Sequence, residues 1–157
     1  MARAPFQVLV YPYRQTDTAA FEYALFKRAV VGWWQGIAGG GEDNETPIQA
    51  ARRETHEEAA ILPDSEFLHL DTVIPVRATE FNVSHIWGED VYVIPMYCFG
   101  VMANGSDIIL SHEHSEYRWL SYWDAYNLMK YEGNKTALWE LEKRLRGGGP
   151  RGKIGEP

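Results

Sequence analysis

The alternation of apolar and polar positions predicts strands in the first third of the chain. Phe6 to Tyr13 and Phe21 to Arg28 are rich in aromatic and β-branched residues, and a polar turn separates them. This pattern is typical of a hairpin with a long loop. A glycine-flanked turn that contains Trp33 and Trp34 then leads into a short predicted strand, Ile37 to Gly39.

A helix with three distinct faces is predicted next. Thr46 is a suitable N-cap, Pro47 suits the first helical position, and the pattern ends near Ala59–Ala60. At 100° per residue, Glu54, Glu57 and Glu58 share one arc. The neighbouring arc is small or apolar and is expected to be buried: Ile48, Ala51, Thr55 and Ala59. The third arc is expected to face water: Gln49, Arg52, Arg53 and His56.

The rest of the chain mixes strands and helices without a regular βαβ rhythm. A strand or strand pair is predicted from Phe67 to Arg77, and Val91 to Met102 reads as a central strand in which Pro95 indicates a bulge or an edge. The remaining predicted elements are a short strand at Ile108 to Leu110, a strand at Glu116 to Leu120, and helices at Tyr122–Lys130 (with Ser121 and Asp124 as capping box) and Thr136–Arg146. We expect one α+β domain over residues 1–146, with a mixed sheet between helices, and a flexible tail at 147–157.

Composition limits the classes of function. The 157 residues are 45% hydrophobic and 13% aromatic, which indicates a globular chain, and the net charge of −7 argues against nucleic acid as a partner. The single cysteine, Cys98, lies in an apolar run and is interpreted as a buried, inert thiol. With no stretch of eighteen apolar residues, we expect no membrane partner and a cytoplasmic protein.

The acidic arc of the helix is poorly arranged for stability. Glu54 and Glu58 form a like-charged i,i+4 pair, and Glu57 and Glu58 lie near the helix C-terminus, where the helix dipole disfavours anions. A divalent cation would reverse the sign of both effects, and clustered carboxylate oxygens suit Mg²⁺ or Mn²⁺. A solvated acidic face is the alternative that the helix alone leaves open.

The stretch from Gly39 to Ile61 resembles the box of the Nudix hydrolases, G-x5-E-x7-R-E-U-x-E-E-x-G-U, where U is aliphatic. The matching residues are Gly39, Glu45, Arg53, Glu54, Glu57, Glu58 and Ile61. Thr55 replaces the first aliphatic residue and Ala60 replaces the last glycine. If the helix closes with a left-handed residue at Ala60, alanine costs roughly 1–2 kcal/mol more than glycine there.

This resemblance implies a fold and a reaction. The fold is a mixed sheet between helices, with the box as a loop–helix–loop, and the reaction is metal-dependent hydrolysis of a nucleoside diphosphate linked to a further group. It also implies that Glu54, Glu57 and Glu58 bind Mg²⁺ (or Mn²⁺), that Arg53 orients them through an ion pair with Glu45, and that the backbone of Gly39, Gly40 and Gly41 approaches the phosphates.

The general base is left open between Glu57 and Glu113. Glu113 precedes a predicted strand, a place where this family often has an extra ligand or base, although a solvated loop acid is an equal alternative. His112 and His114 are interpreted as surface or hydrogen-bonding histidines, because Mg²⁺ disfavours imidazole. Lys27 and Arg28 end a strand and could meet phosphate, and solvated charges explain them equally well.

A narrower resemblance concerns the substrate. Trp33-Trp34-Gln35, the box without its last glycine, and Glu113 to Ala125 are similar to dihydroneopterin triphosphate pyrophosphatases and dATP-pyrophosphohydrolase-like proteins. This implies release of pyrophosphate from a nucleoside or pterin triphosphate. ADP-ribose or dinucleoside polyphosphate hydrolysis, and a non-catalytic nucleotide-binding module, are the alternatives, and a homodimer is possible. The predicted pocket residues are Trp34 and, from the long loop at 78–90, Phe81, His85 and Trp87.

Overall fold

A mixed sheet forms the centre of the fold. The computed structural model describes residues 2–82, 84–105 and 107–147, and the backbone of 153–154. The strands are β1 (Arg3–Gln15), β2 (Phe21–Arg28), β3 (Trp34–Gln35), β4 (Ile37–Glu42), β5 (Phe67–Arg77), β6 (Val93–Met102), β7 (His114–Ser121) and β8 (Lys153–Ile154). The helices are α1 (Pro47–Ala59), α2 (Tyr122–Leu128) and α3 (Glu132–Gly147), and 3-10 turns cover Ala78–Glu80 and Ser84–Trp87.

The long strand β1 organises the sheet. The strand order is β3-β2-β1-β6-β5-β8, and β1 and β6 pair in parallel over Gln7–Tyr13 and Met96–Met102. The opposite edge of β1 is shared, because β4 pairs with its first part and β2 with its last. β7 extends the sheet beyond β2. The predicted α+β fold with a mixed sheet between helices is therefore confirmed.

Each face of the sheet has its own core. Val8 and Val10 point to the face that α1 covers, together with Phe26 and Phe99. The alternate residues of β1, such as Leu9 and Tyr11, point to the face that α2 and α3 cover. The predicted buried arc of α1 lies on the first of these cores, with Ala51, Thr55 and Ala59 all fully buried. The sheet thus separates the two helical layers.

The proline in β6 lies where the sheet can accept it. Pro95 pairs with Pro75 of β5, and pairing of β6 with β1 begins one residue later, at Met96. The missing N–H of Pro95 therefore faces no β1 partner, as expected for an edge position. The bulge lies instead in β5, between His69 and Val73. The Glu140 carboxylate accepts the backbone N–H groups of Asp71 (2.6 Å) and Thr72 (2.8 Å) there.

The predicted strand at Ile108 to Leu110 was wrong, and the last helix starts earlier than predicted. Residues 107–111 form no strand, because the Ile109 N–H donates to the Ala59 carbonyl (3.1 Å) at the end of α1 rather than to a strand. The last helix begins at Glu132, four residues before the predicted start, and so contains Gly133. A Cβ on Gly133 would come within 2.8 Å of Ile74, so glycine here allows α3 to approach the sheet closely.

The predicted tail at 147–157 lies largely outside the described residues. Gly147 ends α3, and the backbone of Lys153–Ile154 pairs antiparallel with Leu68–His69 of β5.

The thiol of Cys98 is buried, as expected, and burial raises its pKa well above the usual value. Over the described residues, the helices are too short or too polar to span a bilayer.

Helix α1 begins and ends as predicted. Thr46 and Gln49 form a reciprocal capping box, and Ala60 closes the helix in the left-handed conformation, with φ of 58° and ψ of 26°. Since a Cβ is unfavourable in this region, the alanine at this position stores strain that glycine would relieve.

We expect Ala60→Gly to increase the free energy of unfolding by about 1 kcal/mol, because the relief of left-handed strain exceeds the extra chain entropy that glycine loses. Urea denaturation followed by circular dichroism measures this. Ala59→Gly, one residue earlier and within the helix, should instead destabilise the protein by about 1 kcal/mol or more. A loss of stability in Ala60→Gly would contradict the strain argument.

Candidate active site

The guanidinium of Arg53 is the centre of the candidate site. It donates to both carboxylate oxygens of Glu45 (2.8 and 2.9 Å), to Glu54 (2.9 Å), to Glu57 (3.3 Å) and to the backbone carbonyl of Gly40 (2.8 Å). The predicted ion pair with Glu45 is therefore present. The helical wheel placed Arg53 on the water-facing arc, and this was wrong, because its side chain reaches back to β4 and is only 21% exposed.

Glu54 lies in a space that a glycine leaves free. A Cβ on Gly39 would come within 2.1 Å of the Glu54 carboxyl carbon, so any larger residue at position 39 would displace this side chain. Burial raises the pKa of Glu54 to about 7, although the hydrogen bond and the charge of Arg53 act in the opposite direction. Near neutral pH, Glu54 is therefore a buried carboxyl that exchanges its proton readily.

The other two glycines also accommodate side chains of this chain. A Cβ on Gly40 would overlap the side chain of Arg3, and a Cβ on Gly41 would overlap the ring of Phe6. Both glycines belong to β4, and Gly40 pairs with Gln7 of β1. A side chain of this chain therefore lies against each of the three glycines, and the approach of their backbone to phosphates stays a prediction.

Glu58 is held by the segment that precedes β7. Its Oε2 accepts the hydroxyl of Ser111 (3.3 Å) and lies 3.0 Å from Nδ1 of His114, and only 4% of the residue is exposed. A hydrogen bond with the neighbouring Glu58 and burial raise the pKa of Glu113. Burial acts to raise the pKa of Glu58 as well, but the close groups of His114, Glu113 and Ser111 outweigh it and lower that pKa. The two neighbouring carboxyls therefore differ in their tendency to hold a proton.

Glu57 is the most exposed of the predicted ligands. Its side chain is 54% exposed and contacts Arg53 on the same helix. Among the residues that the structure describes, no three acidic or histidine side chains are already arranged as a metal site. The carboxylates of Glu54, Glu57, Glu58 and Glu113 nevertheless lie at one end of α1, and the pKa values of Glu54 and Glu113 are raised. Carboxylate oxygens are the type of ligand that Mg²⁺ and Mn²⁺ prefer.

The two tryptophans of the turn have different environments. Trp34, the predicted pocket residue, is 9% exposed in the core beneath α2 and α3, and the guanidinium of Arg118 lies 4.7 Å from its ring centre. It packs into the core on the face of the sheet opposite α1, and its predicted role in the pocket stays a prediction. Trp33 is half-buried and packs edge-on against Tyr131.

The loop at 78–90 reaches the box through the start of β1. The indole of Trp87 donates to the backbone carbonyl of Arg3 (2.8 Å), and the side chain of Arg3 lies against Gly40. Phe81 packs edge-on against Trp87, with ring centres 6.0 Å apart, and His85 is exposed. The structure thus brings Phe81 and Trp87 to the β4 side of the box, while Glu113 approaches from the other end of α1.

Three residues near the carboxylates carry contacts that the sequence did not indicate: Arg3, Ser111 and His114. Arg3 lies more than thirty residues before the glycine it covers, and only the pairing of β1 with β4 connects the two. Ser111 and His114 flank Glu113 in sequence. Their position beside a candidate general base is the sequence feature that could have identified them as site residues. We had interpreted His114 as a surface or hydrogen-bonding residue, and its side chain is 1% exposed.

Comparisons with known proteins agree with this geometry. The model of the NUDIX domain family matches residues 7–140. An asymmetrical bis(5'-nucleosyl)-tetraphosphatase of Sus scrofa is 30% identical over 127 residues, which cover 80% of this chain and 82% of the relative. The crystal structure of a NUDIX hydrolase from Listeria monocytogenes is 37% identical, with a TM-score of 0.82 over 92% of this chain and 97% of that chain.

A further solved structure extends the likeness of the fold. The dihydroneopterin triphosphate pyrophosphohydrolase of E. coli is 24% identical, with a TM-score of 0.70 over 88% of this chain and 94% of that chain. With the family model matched over most of the chain and the box residues assembled at one end of α1, this chain belongs to the Nudix hydrolase family and is a pyrophosphohydrolase.

Proposed function

We propose that the chain uses Mg²⁺, or Mn²⁺ in its place, to hydrolyse a nucleoside or pterin triphosphate to a monophosphate and pyrophosphate. The observation that carries this proposal is the assembly of Glu54, Glu57, Glu58 and Glu113 at one end of α1. So many carboxylates at one place repel one another, and a cation with its polyphosphate substrate would balance them. The resemblance at Trp33-Trp34-Gln35 supports the triphosphate as substrate.

Glu54, Glu57 and Glu58 would hold the metal. A bound Mg²⁺ supplies charge neutralisation to the phosphate oxygens and orients the substrate. Arg53 contributes by fixing Glu54 and Glu57 at a constant distance from β4, which removes side-chain freedom before the substrate binds. Its hydrogen bond to the Gly40 carbonyl ties that arrangement to the sheet.

Glu113 is the better candidate for the general base. Its side chain lies at the exposed rim of the site and shares a hydrogen bond with Glu58. The carboxylate of Glu57, in contrast, is already engaged in an ion pair with Arg53 (3.3 Å), which makes it the poorer candidate for contact with the attacking water. In this proposal Glu113 removes a proton from the attacking water, and Glu57 acts as a metal ligand.

Arg28 is positioned to contact the phosphates. It ends β2 as the register partner of His114, and the next residue, Ala29, donates its N–H to the Glu113 carbonyl (3.0 Å). Its positive charge lowers the pKa of Glu113, so the guanidinium lies close to the carboxylate cluster. Lys27 already pairs with Glu116 across the strands (3.9 Å), which leaves Arg28 as the stronger candidate.

A dinucleoside tetraphosphate is the second candidate substrate. The Sus scrofa tetraphosphatase is 30% identical over four fifths of both chains, whereas the dihydroneopterin triphosphate enzyme is more distant. Phe81 and Trp87 provide exposed or half-buried aromatic rings beside the box, on which a base could stack. A purely binding role is disfavoured, because the chain retains all of the box glutamates together with Arg53.

A panel of substrates tests the reaction. We expect Mg²⁺-dependent release of pyrophosphate from one or more nucleoside triphosphates or from dihydroneopterin triphosphate. Diadenosine tetraphosphate and ADP-ribose belong in the same panel, with products resolved by ion-exchange chromatography. Preferential conversion of diadenosine tetraphosphate to ATP and AMP would favour the second candidate. The absence of turnover of every compound with Mg²⁺ and with Mn²⁺ would exclude the enzymatic proposal.

Substitution of the proposed ligands should affect catalysis far more than folding. We expect Glu57→Gln and Glu58→Gln each to lower kcat by about 10²-fold or more, because each removes a negative oxygen donor from the proposed metal site. Steady-state kinetics at saturating Mg²⁺ measures this, and Glu66→Gln, an exposed acid outside the site, is the matched control. Retention of full activity by both variants would show that the metal is held elsewhere.

The raised pKa of Glu54 gives the metal-free protein a specific pH dependence. Since the pKa of about 7 in the folded chain exceeds that of an unfolded glutamate, Glu54 favours folding at low pH, and this contribution is lost as the pH rises through 7. Glu54→Gln should therefore raise the Tm in EDTA by about 3 °C or more at pH 8, and by about 1 °C or less at pH 4, below the pKa of an unfolded glutamate. Differential scanning calorimetry at both pH values checks this, and an equal shift at both would contradict the assignment.

A further inference from the structure

The last turn of α1 is held by a second segment of the chain. The N–H groups of Ile109 and Ser111 donate to the carbonyls of Ala59 (3.1 Å) and Glu58 (3.4 Å). The Ser111 hydroxyl donates to the Glu58 carboxylate (3.3 Å) and also accepts the N–H of Glu113 (3.3 Å). These contacts attach the backbone at the proposed base, Glu113, to the side chain of the proposed metal ligand, Glu58.

His114 completes this attachment from inside the protein. Its side chain is 1% exposed, its ring packs against Phe26 with centres 5.4 Å apart, and its Nδ1 lies 3.0 Å from Oε2 of Glu58. The N–H direction at Nδ1 is bent away from the straight line to that oxygen, so this close contact does not have the geometry of a hydrogen bond in the metal-free chain. Hydrogen bonds at catalytic sites often align only when the ligand is bound.

The surroundings of the ring indicate which nitrogen carries the proton. Nε2 is buried and has no hydrogen-bond partner among the described residues. A proton on Nε2 would leave a buried donor unsatisfied, whereas a bare Nε2 is only an unused acceptor. Of the two tautomers, the one with hydrogen on Nδ1 is therefore favoured, and this places a donor 3.0 Å from Oε2 of Glu58.

We propose that His114 is a positioning residue for the Glu58 carboxylate: its Nδ1–H holds Oε2, and this fixes Oε1 in the direction of the metal. The inference rests on the proposed function, because Glu58 must be a ligand for its orientation to matter. Groups that orient a metal ligand typically change metal affinity by about 10-fold to 100-fold when they are removed.

Three variants of His114 separate orientation from packing. His114→Leu keeps an apolar side chain beside Phe26 and removes the donor, so Mn²⁺ affinity should fall by about 10-fold. His114→Asn places an amide N–H near the position of Nδ1 and should restore Mn²⁺ affinity to within about 3-fold of the unsubstituted protein. His114→Gln places its amide further out, near Nε2, and should not restore it. Isothermal titration calorimetry with Mn²⁺ alone gives the affinities.

A matched control is available in the second buried histidine of the sheet. His69 is 6% exposed and stacks on Phe99 with ring centres 4.7 Å apart. It belongs to β5, which is separated from β7 by β6, β1 and β2 in the sheet. His69→Leu should lower the Tm without changing Mn²⁺ affinity. Loss of affinity in both leucine variants to the same extent would indicate a general effect of disturbed packing and would overturn the proposal.

A double variant shows whether His114 acts through Glu58. If it does, Glu58→Gln/His114→Leu should bind Mn²⁺ as weakly as Glu58→Gln alone, whereas a further 10-fold loss would overturn the proposal. His114→Leu with unchanged affinity, alongside a weakened Glu58→Gln, would also reject the role of His114 and leave the proposed function intact. Absence of Mn²⁺ binding by the unsubstituted protein would instead contradict the proposed function itself.

Discussion

The hydrogen bonds of one guanidinium hold the box together. Arg53 is bound by Glu45 from the loop before α1, by Glu54 and Glu57 from α1 itself, and by the carbonyl of Gly40 from β4. Arginine suits this position because its planar group presents several donors in fixed directions, which lysine cannot do. Without this cation, three partly buried carboxylates would face one another with no positive charge among them. The arrangement of the carboxylates therefore depends on Arg53 before any metal is present.

The two ends of the carboxylate cluster are supported in different ways. At one end, Glu54 is enclosed by β4 and Arg53, and burial raises its pKa to about 7. At the other end, Glu58 is surrounded by donors from Ser111 and the neighbourhood of His114, and its pKa is lowered. The same type of side chain thus has opposite tendencies to hold a proton within one turn of helix. A metal bound between them would meet one carboxylate that is already charged and one that must lose its proton.

The sequence predicted the features that depend on local order. The caps of α1, its buried arc and its acidic arc follow from spacing along a few turns, and the bounds of β2 and β5 follow from residue type. Which face of a strand reaches which helix is decided by pairing between distant segments, and for this reason the sequence could not show which of Trp33 and Trp34 packs into the core. The side chains that fill the space beside Gly40 and Gly41 come from β1, and no local pattern could have indicated them.

The contacts around α1 also indicate which parts of the molecule tolerate substitution. The carboxylates are held from two sides, by β4 through Arg53 and by residues 109–114 at the last turn of α1. Among the described residues of the loop at 78–90, Trp87 contacts this assembly through an indole hydrogen bond to the backbone carbonyl of Arg3, which does not depend on the side chain at position 3. Substitutions in that loop can therefore accumulate without disturbing the contacts that hold the carboxylates. When loops vary separately from the residues that carry the chemistry, one fold can serve different substrates.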